Sequence, residues 1–233
     1  MKKYFIIATI LFLAAACSKQ QPAVQPVQPA QNQQGTTTPA TATSTPAKPV
    51  TPTTPSVSLE VYNNAAEHFK ILYLNNFTLF TGAKVKANNT KGVNFSACVP
   101  YGLMPDMCFV LNGQPYLNTN LGSAGVAVSV LKNKTTIGDC GTFSALDLAG
   151  GHTTDAVQGN GVVFVTAVNT DAGAGNFSET HYNRAFYGNL CYELDETARW
   201  TNAENYSPPR TEFDRTDIWN KLDVLRNGFE FVK

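Results

Sequence analysis

Two of the three histidines in this 233-residue chain stand close to a carboxylate in the sequence. His152 precedes Asp155 in a glycine-rich stretch, and Glu179 stands two positions before His181. A carboxylate beside an imidazole can orient the ring and support general acid–base catalysis. Alternate residues of a strand point to the same face, so Glu179 and His181 are predicted to lie side by side. These four residues are the candidate functional residues of the chain.

Each pair also fits a purely structural role. His152 follows two glycines, which is typical of a histidine in a solvent-exposed loop. The pair Glu179 and His181 fits the solvated face of an edge strand, and the similarly spaced pair Glu193 and Asp195 does too. Both interpretations stay open on the sequence alone.

Two common catalytic or binding motifs are excluded. No Gly-x-Ser-x-Gly sequence accompanies the histidines, so the nucleophile turn of serine hydrolases is not supported. The glycine-rich segment 171–176 lacks the Walker lysine and does not match the Gly-x-Gly-x-x-Gly pattern of dinucleotide sites. We therefore predict no nucleotide cofactor.

Five cysteines divide into one near the N-terminus, Cys17, and four in the rest of the chain. The four are Cys98, Cys108, Cys140 and Cys191. An even number in an exported chain predicts two disulfides, and four cysteines allow three pairings. Cys98 and Cys108 flank a loop between two candidate strands, so local closure favours pairing them and leaves Cys140 for Cys191. Their spacing matches no common zinc motif, and we predict neither a metal nor a cofactor.

The elements that position these residues are predicted to be mainly strands. Runs rich in β-branched and aromatic residues alternate with turn-prone sequences. The predicted strands are 69–73, 77–80, 93–98, 108–111, 125–131, 162–168, 181–186, 190–194 and 229–232. Residues 60–67 are predicted as a short helix or turn, and Tyr187-Gly188-Asn189 is predicted to close a hairpin.

One helix stands out near the end of the chain. Ile218, Leu222 and Leu225 recur at helical spacing within residues 214–227, and Gly228 is suited to the helix C-terminus. Together with the strands, this predicts an α+β fold. We expect a mainly antiparallel sheet that is packed by helices, including this C-terminal amphipathic helix.

The N-terminus resembles the signal sequence of bacterial lipoproteins. Two lysines precede an apolar run over residues 4–13, which is shorter than the roughly 20 residues of a transmembrane helix. Ala14-Ala15-Ala16-Cys17 then resembles the lipobox, with leucine one position earlier than usual. The resemblance implies cleavage before Cys17, attachment of diacylglycerol to its sulfur, and palmitate among the acyl chains. The alternative is an ordinary secretory signal that is cleaved after Ala16.

Composition separates a linker from a domain. Residues 18–56 contain eight of the 13 prolines and no aromatic residue, so they cannot form a packed core. We predict a signal peptide over 1–16, a lipidated Cys17 and disordered tether over 17–56, and one globular domain over 57–233. Such a tether holds a domain away from the membrane surface.

The charge of the chain excludes one class of partner. The formal net charge is zero and only 15% of residues are charged. The predicted domain holds 13 basic and 17 acidic residues, which gives a net charge of −4. Without a run of Lys and Arg, the chain lacks the electrostatic footprint of a nucleic-acid-binding protein.

Motifs within residues 173–231 resemble a block found in uncharacterised exported bacterial proteins. They are Gly173-Ala174-Gly175-Asn176, Glu179, Tyr182, Gly188, Cys191-Tyr192-Glu193, the Asn-Tyr-x-Pro-Pro stretch 205–209, Glu212-Phe213-Asp214 and Phe229-Glu230-Phe231. Residues 69–79 are weakly similar to the opening strands of PsbP-like domains, in which a Tyr-Pro pair stands where this chain has Tyr73-Leu74. The resemblance implies an α+β sandwich and brings no catalytic residues.

These observations favour a non-enzymatic envelope domain that binds or scaffolds another component. The expected partners are the lipid bilayer, through acylated Cys17, and an envelope protein or glycan. Ser18 in place of a retention-type aspartate favours the outer membrane or the cell surface if the cell has two membranes. Two alternatives remain: an envelope hydrolase that uses a His–carboxylate pair, and an accessory factor of an envelope assembly or secretion system.

Overall fold

The computed structural model of the chain describes residues 56–85, 97–98, 104–145, 147–148, 151–153 and 156–233. The described residues belong to the compact unit Thr53–Lys233. The predicted signal peptide, Cys17 with its tether, and Asp155 lie outside these residues. Of the strand predicted over 93–98, only residues 97–98 are described, and they are in a turn.

The main element of the fold is an eight-stranded antiparallel sheet. Its strands are β3 (Phe77–Thr81), β4 (Met107–Leu111), β5 (Leu121–Val130), β6 (His152–Thr153), β7 (Val157–Gly159), β8 (Val162–Gly173), β9 (Asn176–Tyr187) and β10 (Leu190–Thr201). They lie in the order β3-β4-β5-β10-β9-β8-β6, and β7 also pairs with β8. The three long strands β8, β9 and β10 are therefore interior to the sheet.

A second sheet has three strands, in the order β1 (Leu59–Asn64), β2 (Phe69–Leu74) and β11 (Phe229–Phe231). A 3₁₀ turn over Ala65–Glu67 joins β1 to β2. The helix or turn predicted over 60–67 is therefore wrong for its first part, which is a strand. The pairing of β1 with β2 overrides the turn preference of Asn63 and Asn64.

The hairpin β9–β10 is the longest pairing in the structure. It runs without a shift from Tyr187 opposite Leu190 to Asn176 opposite Thr201. Gly188 and Asn189, between the strands, have φ of 57° and 66°. These positive values are those of a type I′ turn, whose twist matches that of the paired strands. The predicted hairpin is confirmed, and both of its strands are longer than predicted.

Two helices lie wholly within the described residues, the short α1 (Ile137–Cys140) and the long α2 (Arg215–Asn227), and residues 83–85 are also helical. The side chain of Asp214 accepts a hydrogen bond from the backbone N–H of Asp217, which caps the start of α2. The amphipathic helix predicted over 214–227 is confirmed. No helix among the described residues has the length and apolar character to cross a bilayer.

The hydrophobic core lies where α2 and the three-stranded sheet meet one face of the main sheet. Ile218, Leu222 and Leu225, the apolar stripe of α2, are fully buried in it. Phe69 of β2 stacks on Phe229 of β11 with ring centroids 5.2 Å apart. The sequence after α2 turns back at once to β2, and a Cβ at Gly228 would lie only 2.6 Å from the Cβ of Leu72. This close approach requires glycine.

Strand β10 is covered on both faces. Residues 191–198 are all buried, although Glu193 and Asp195 are among them. The expectation that these two acids lie on the solvated face of an edge strand is therefore wrong. They point away from α2, towards the loops that cover the second face of the sheet.

The fold is richer in strand than the predicted α+β class implies. The mainly antiparallel sheet and the C-terminal helix are present as predicted, but the described part of the chain holds eleven strands, and α2 is its one long helix. The helical layer on the core face of the main sheet consists of α2 and shares that face with the three-stranded sheet.

Two disulfides tie loops to this framework. Cys98 is bonded to Cys108 of β4, with Cα atoms 5.7 Å apart. Cys140 of α1 is bonded to Cys191 of β10, with Cα atoms 5.4 Å apart. This is the pairing that local closure favours in the sequence.

Candidate functional site

The structure does not join His152 to its predicted partner. His152 lies on the short strand β6, opposite Val168 of β8, and its side chain is exposed. Asp155 is outside the described residues. An exposed histidine on a two-residue strand has the surroundings expected from the structural interpretation of this residue.

Glu179 and His181, in contrast, lie side by side on β9. The Nε2 atom of His181 is 2.9 Å from Oε1 of Glu179. The period-two alternation of a strand explains the contact, as predicted. However, β9 lies between β8 and β10, and both side chains are partly buried, so the pair is not on a solvated edge.

Helix α2 covers the imidazole of His181. The indole of Trp219 stacks on it with a centroid distance of 3.9 Å and an interplanar angle of 5°. The second ring nitrogen, Nδ1, faces Oε2 of Glu196 at 3.9 Å. Glu179 forms a further ion pair with Arg215, also from α2.

Glu196 forms the buried end of this group. Its side chain is fully buried beneath α2, where Oε2 accepts a hydrogen bond from Nδ2 of Asn183 at 3.2 Å and one from Nη1 of Arg226 at 3.3 Å. Burial disfavours the charged carboxylate and raises the pKa of Glu196 to about 7, although Arg226 acts in the opposite direction. At the partly exposed end, the hydrogen bond with His181 lowers the pKa of Glu179.

We name this group the helix-facing cluster. It comprises Glu179, His181, Asn183 and Glu196 of the sheet with Arg215, Trp219 and Arg226 of α2. Both nitrogens of the imidazole face carboxylates and the indole covers one side of the ring. The cluster thus contains the predicted acid–base pair, and the contacts of this pair with Arg215 and Trp219 attach α2 to the sheet.

A second buried ionic group lies on the opposite face of the sheet. Arg184 of β9 forms ion pairs with Glu193 of β10 and, at 3.1 Å, with Asp147. It also donates to the backbone oxygen of Thr142 at 2.9 Å, and its guanidinium lies 4.4 Å from the ring centre of Phe143. This arginine therefore holds the loop that follows α1 against the sheet.

Beside this group is a small cavity of about 200 Å³ that is lined in part by Glu193 and Asp195. The Oδ1 atom of Asp195 is buried and has no hydrogen-bond partner in the described part of the chain. Burial raises the pKa of Asp195 well above its usual range and raises that of Glu193. Burial thus disfavours the charged form of both carboxyl groups, and Arg184 acts in the opposite direction on both.

A larger groove, of about 340 Å³, lies at the end of the sheet that contains the β8–β9 connection. Four neighbouring strands line it, and we name it the sheet-end groove. Its lining residues are Gly122, Ser123, Asp171, Gly173, Asn176, Phe177, Ser178, Arg199, Trp200 and Thr201. The rings of Phe177 and Trp200 stack with centroids 5.7 Å apart, and the indole of Trp200 also contacts Phe213 and Arg215 on the face of the sheet that α2 covers.

A β-bulge shapes the sheet-end groove. Arg199 is opposite Ser123, but the next residue, Trp200, is opposite Leu121, so Gly122 is an extra residue in β5. A Cβ at Gly122 would lie 3.3 Å from the backbone oxygen of Arg199. Bulges change the direction of neighbouring side chains and are frequent beside binding sites.

Sequence reasoning did not single out Arg199 or Asp171 as functional residues. Neither has a motif, and their meeting across strands depends on the register of β8, β9 and β10. Their strands were predicted shorter than they are, which left both residues outside the predicted elements. A complete pairing register would have been needed to find them.

The described residues contain no group of three or more His, Cys, Asp or Glu side chains arranged to hold a metal ion. Arginines pair with the buried carboxylates of Glu193 and Glu196, whereas Oδ1 of Asp195 has no hydrogen-bond partner among these residues. The ionic contacts described above join α2 and the loop after α1 to the sheet.

No protein-family model and no curated protein sequence matches the chain. Solved structures do. Cyanobacterial PsbP (CyanoP) from Synechocystis sp. PCC 6803 aligns with 75% of this chain and 92% of its own, at 14% identity and a TM-score of 0.43. LpqN of Mycobacterium tuberculosis, a protein involved in cell envelope biogenesis, aligns with 76% of this chain and 92% of its own, at 8% identity and a TM-score of 0.39.

A third similar structure, from Bacteroides thetaiotaomicron VPI-5482, aligns with 74% of this chain at 9% identity and a TM-score of 0.40. This chain spans 48% of the length of that protein.

Proposed function

We propose that this chain is a bacterial envelope lipoprotein. In this proposal, the mature protein begins at Cys17, acyl chains on that residue anchor it in a membrane, and the domain over 57–233 binds an envelope component. The observation that carries the proposal is the order of features at the N-terminus: two lysines, a short apolar run and three alanines before a cysteine. Several acyl chains buried in a bilayer give a durable anchor.

The cysteine chemistry of the domain supports an extracytoplasmic location. Cys98 and Cys108 form one disulfide and Cys140 and Cys191 form the other, which accounts for every cysteine of the domain. Disulfides persist in oxidising compartments and are rare in the cytosol of most bacteria. Cys17 is then the one cysteine left for another purpose, and acylation is that purpose in this proposal.

Metabolic labelling tests the anchor. Bacteria that produce the wild-type chain are grown with radiolabelled palmitate, beside bacteria that produce Cys17→Ser and the control Ser18→Ala. We expect label in the wild type and in the control, with none in Cys17→Ser, because only Cys17 carries the acylated sulfur. Equal labelling of Cys17→Ser, or an unlabelled wild type that is secreted and starts after Ala16, would refute lipid anchoring.

Binding is preferred to catalysis because of the surroundings of His181. A general base needs a ring nitrogen that can exchange a proton with the substrate. Nε2 is hydrogen-bonded to Glu179, Nδ1 faces Glu196, and Trp219 covers the ring. A hydrolase built on this pair would therefore need α2 to move away, at the cost of its contacts with the sheet.

The accessory-factor alternative differs in what it binds. An accessory factor remains attached to one defined assembly, whereas a binding domain recognises a ligand by itself. Chemical crosslinking in intact cells, followed by purification of the chain, separates the two. Recovery of one multi-subunit complex in fixed proportion would replace the proposal of an independent binding domain.

A further inference from the structure

We propose that the sheet-end groove binds an α-amino-acid head group, that is, an ammonium and a carboxylate carried on one carbon. The first support is the alignment of the residues in the groove. Asp171 of β8 is opposite Ser178 of β9, which in turn is opposite Arg199 of β10. Residues directly opposite in antiparallel strands present their side chains on the same face. A cation and an anion therefore face one groove from strands on either side of Ser178.

Arg199 is a charge without a partner. Among the described residues, it forms no ion pair, and its Nε atom is buried without a hydrogen bond. A guanidinium stays charged at every relevant pH and offers five donors in a plane that suits a carboxylate. A carboxylate bound in the groove would pair with this guanidinium and neutralise its charge.

Asp171 supplies the complementary group. Its side chain is exposed at the groove and forms no ion pair with any described residue. Its strand is two strand spacings from that of Arg199, or roughly 10 Å. In the proposed pose, a head group that lies across Ser178 presents its carboxylate to Arg199 and its ammonium to Asp171.

The remainder of the groove suits such a ligand. Its volume of about 340 Å³ exceeds that of a small amino acid, so a side chain or an attached residue can be held as well. Ser178 offers a hydroxyl between the two charges. The bulge at Gly122 brings the backbone of β5 close to Arg199, which shapes this end of the groove.

The inference uses the proposed envelope location only for the source of the ligand. The head group is either that of a free amino acid or that of a diamino acid whose side chain is joined to a larger envelope polymer. The binding test uses purified Cys17→Ser full chain in buffer, so it does not depend on lipidation. Failure of one proposal is thus distinguishable from failure of the other.

Titration followed by ¹H–¹⁵N NMR tests the head group. Alanine carries both charges, alaninamide only the ammonium, and N-acetylalanine only the carboxylate. When alanine is added, we expect saturable chemical-shift changes at the backbone amides of residues that line the groove. Each analogue should bind at least about 10-fold more weakly than alanine, because each lacks one charge-assisted hydrogen bond. The absence of saturable shifts, or equal binding of acetate and alanine, would overturn the proposal.

Two variants assign the roles. Arg199→Gln is expected to weaken alanine and N-acetylalanine at least about 10-fold, since both use the carboxylate. Asp171→Asn is expected to remove the preference for alanine over N-acetylalanine. The matched controls Arg210→Gln and Glu212→Gln change exposed residues outside the groove and should bind as the wild type does. Unchanged binding in Arg199→Gln would contradict the assignment.

Thermal unfolding of each variant verifies the fold before binding is compared. If Arg199→Gln does not fold, the proposal is tested with Asp171→Asn, which changes an exposed residue. If Asp171→Asn still prefers alanine over N-acetylalanine, the proposal is overturned. Nε-acetyl-lysine distinguishes the source of the ligand, because it has the same head group on a long amide-linked side chain. If Nε-acetyl-lysine binds more tightly than alanine, the ligand is a polymer-linked diamino acid; if the two bind equally, it is a free amino acid.

Discussion

The ionisable side chain of Glu196 is completely buried, and its neighbours determine its pKa. It faces Asn183 and His181 from β9 and Arg226 from α2, with Asp223 close to the same arginine. The cost of burying the charge outweighs the attraction of Arg226, so the pKa rises to about 7 from a reference value of 4.5. The folded protein therefore binds this proton more tightly than the unfolded chain does.

The sign of the pH dependence follows from that difference. The contribution of Glu196 to stability is complete below about pH 4.5 and is lost as the pH rises towards 7, by about 1 kcal/mol per pH unit. We expect Glu196→Gln, which mimics the protonated group, to have a flatter dependence of unfolding free energy on pH in that range. Urea unfolding at several pH values measures it.

The control for this prediction is Glu204→Gln, which changes an exposed glutamate. It should keep the wild-type dependence on pH. Identical profiles for the wild type and Glu196→Gln would show that Glu196 is ionised in the folded protein throughout this range.

At the same scale, the limits of sequence reasoning are visible in single residues. The contact of Glu179 with His181 follows from strand alternation and could be predicted. The contact of Glu196 with Arg226 joins residues that are far apart in sequence, through the packing of α2 on the sheet. Whether Arg199 has an ion-pair partner depends on the residues that the fold brings around its guanidinium, so no local sequence pattern could have revealed that this partner is absent among the described residues.

Helix α2 is the element on which the helix-facing cluster depends, and its first turn can be tested. The side chain of Asp214 accepts a hydrogen bond from the N–H of Asp217 at 3.1 Å. Loss of such a cap costs about 1 kcal/mol, whereas asparagine caps about as well as aspartate. We expect Asp214→Ala to lose about 1 kcal/mol of unfolding free energy and Asp214→Asn to lose only a few tenths.

Urea denaturation of both Asp214 variants measures the difference. Both changes remove the same negative charge, so the comparison isolates the hydrogen bond from the interaction of that charge with the helix dipole. Equal losses in the alanine and asparagine variants would show that the charge, and not the cap, stabilises this end of α2.

At the scale of elements, the elements with strong local sequence patterns were predicted correctly, whereas the environment of the polar strand residues was not. The turn at Gly188-Asn189 and the apolar stripe of α2 are local signals, and both were confirmed. Glu193 and Asp195 suggested an exposed edge, but both are buried, with Glu193 paired to Arg184 and residues 104–106 lining the cavity beside them. Charged residues make a central strand resemble an edge strand in the sequence, because the partners that neutralise them come from distant parts of the chain.

The whole molecule, in the proposed account, is a signal peptide, a tether and one β-rich domain. The sequence predicts the first two from composition and from the resemblance to a lipobox, and it predicts the sheet from repeated strand and turn patterns. Local closure also favours the pairing of cysteines that the structure contains. The extent of the sheet could not be predicted, because the polar ends of β8, β9 and β10 lack apolar alternation.

Non-reducing mass spectrometry of the chain extracted from bacterial membranes tests whether it is an exported, acylated envelope protein. We expect an N-terminus at Cys17 with a diacylglycerol on its sulfur, and disulfide-linked peptides that join Cys98 to Cys108 and Cys140 to Cys191. An unmodified Cys17, an N-terminus at Met1, or free thiols at Cys140 and Cys191 would contradict it.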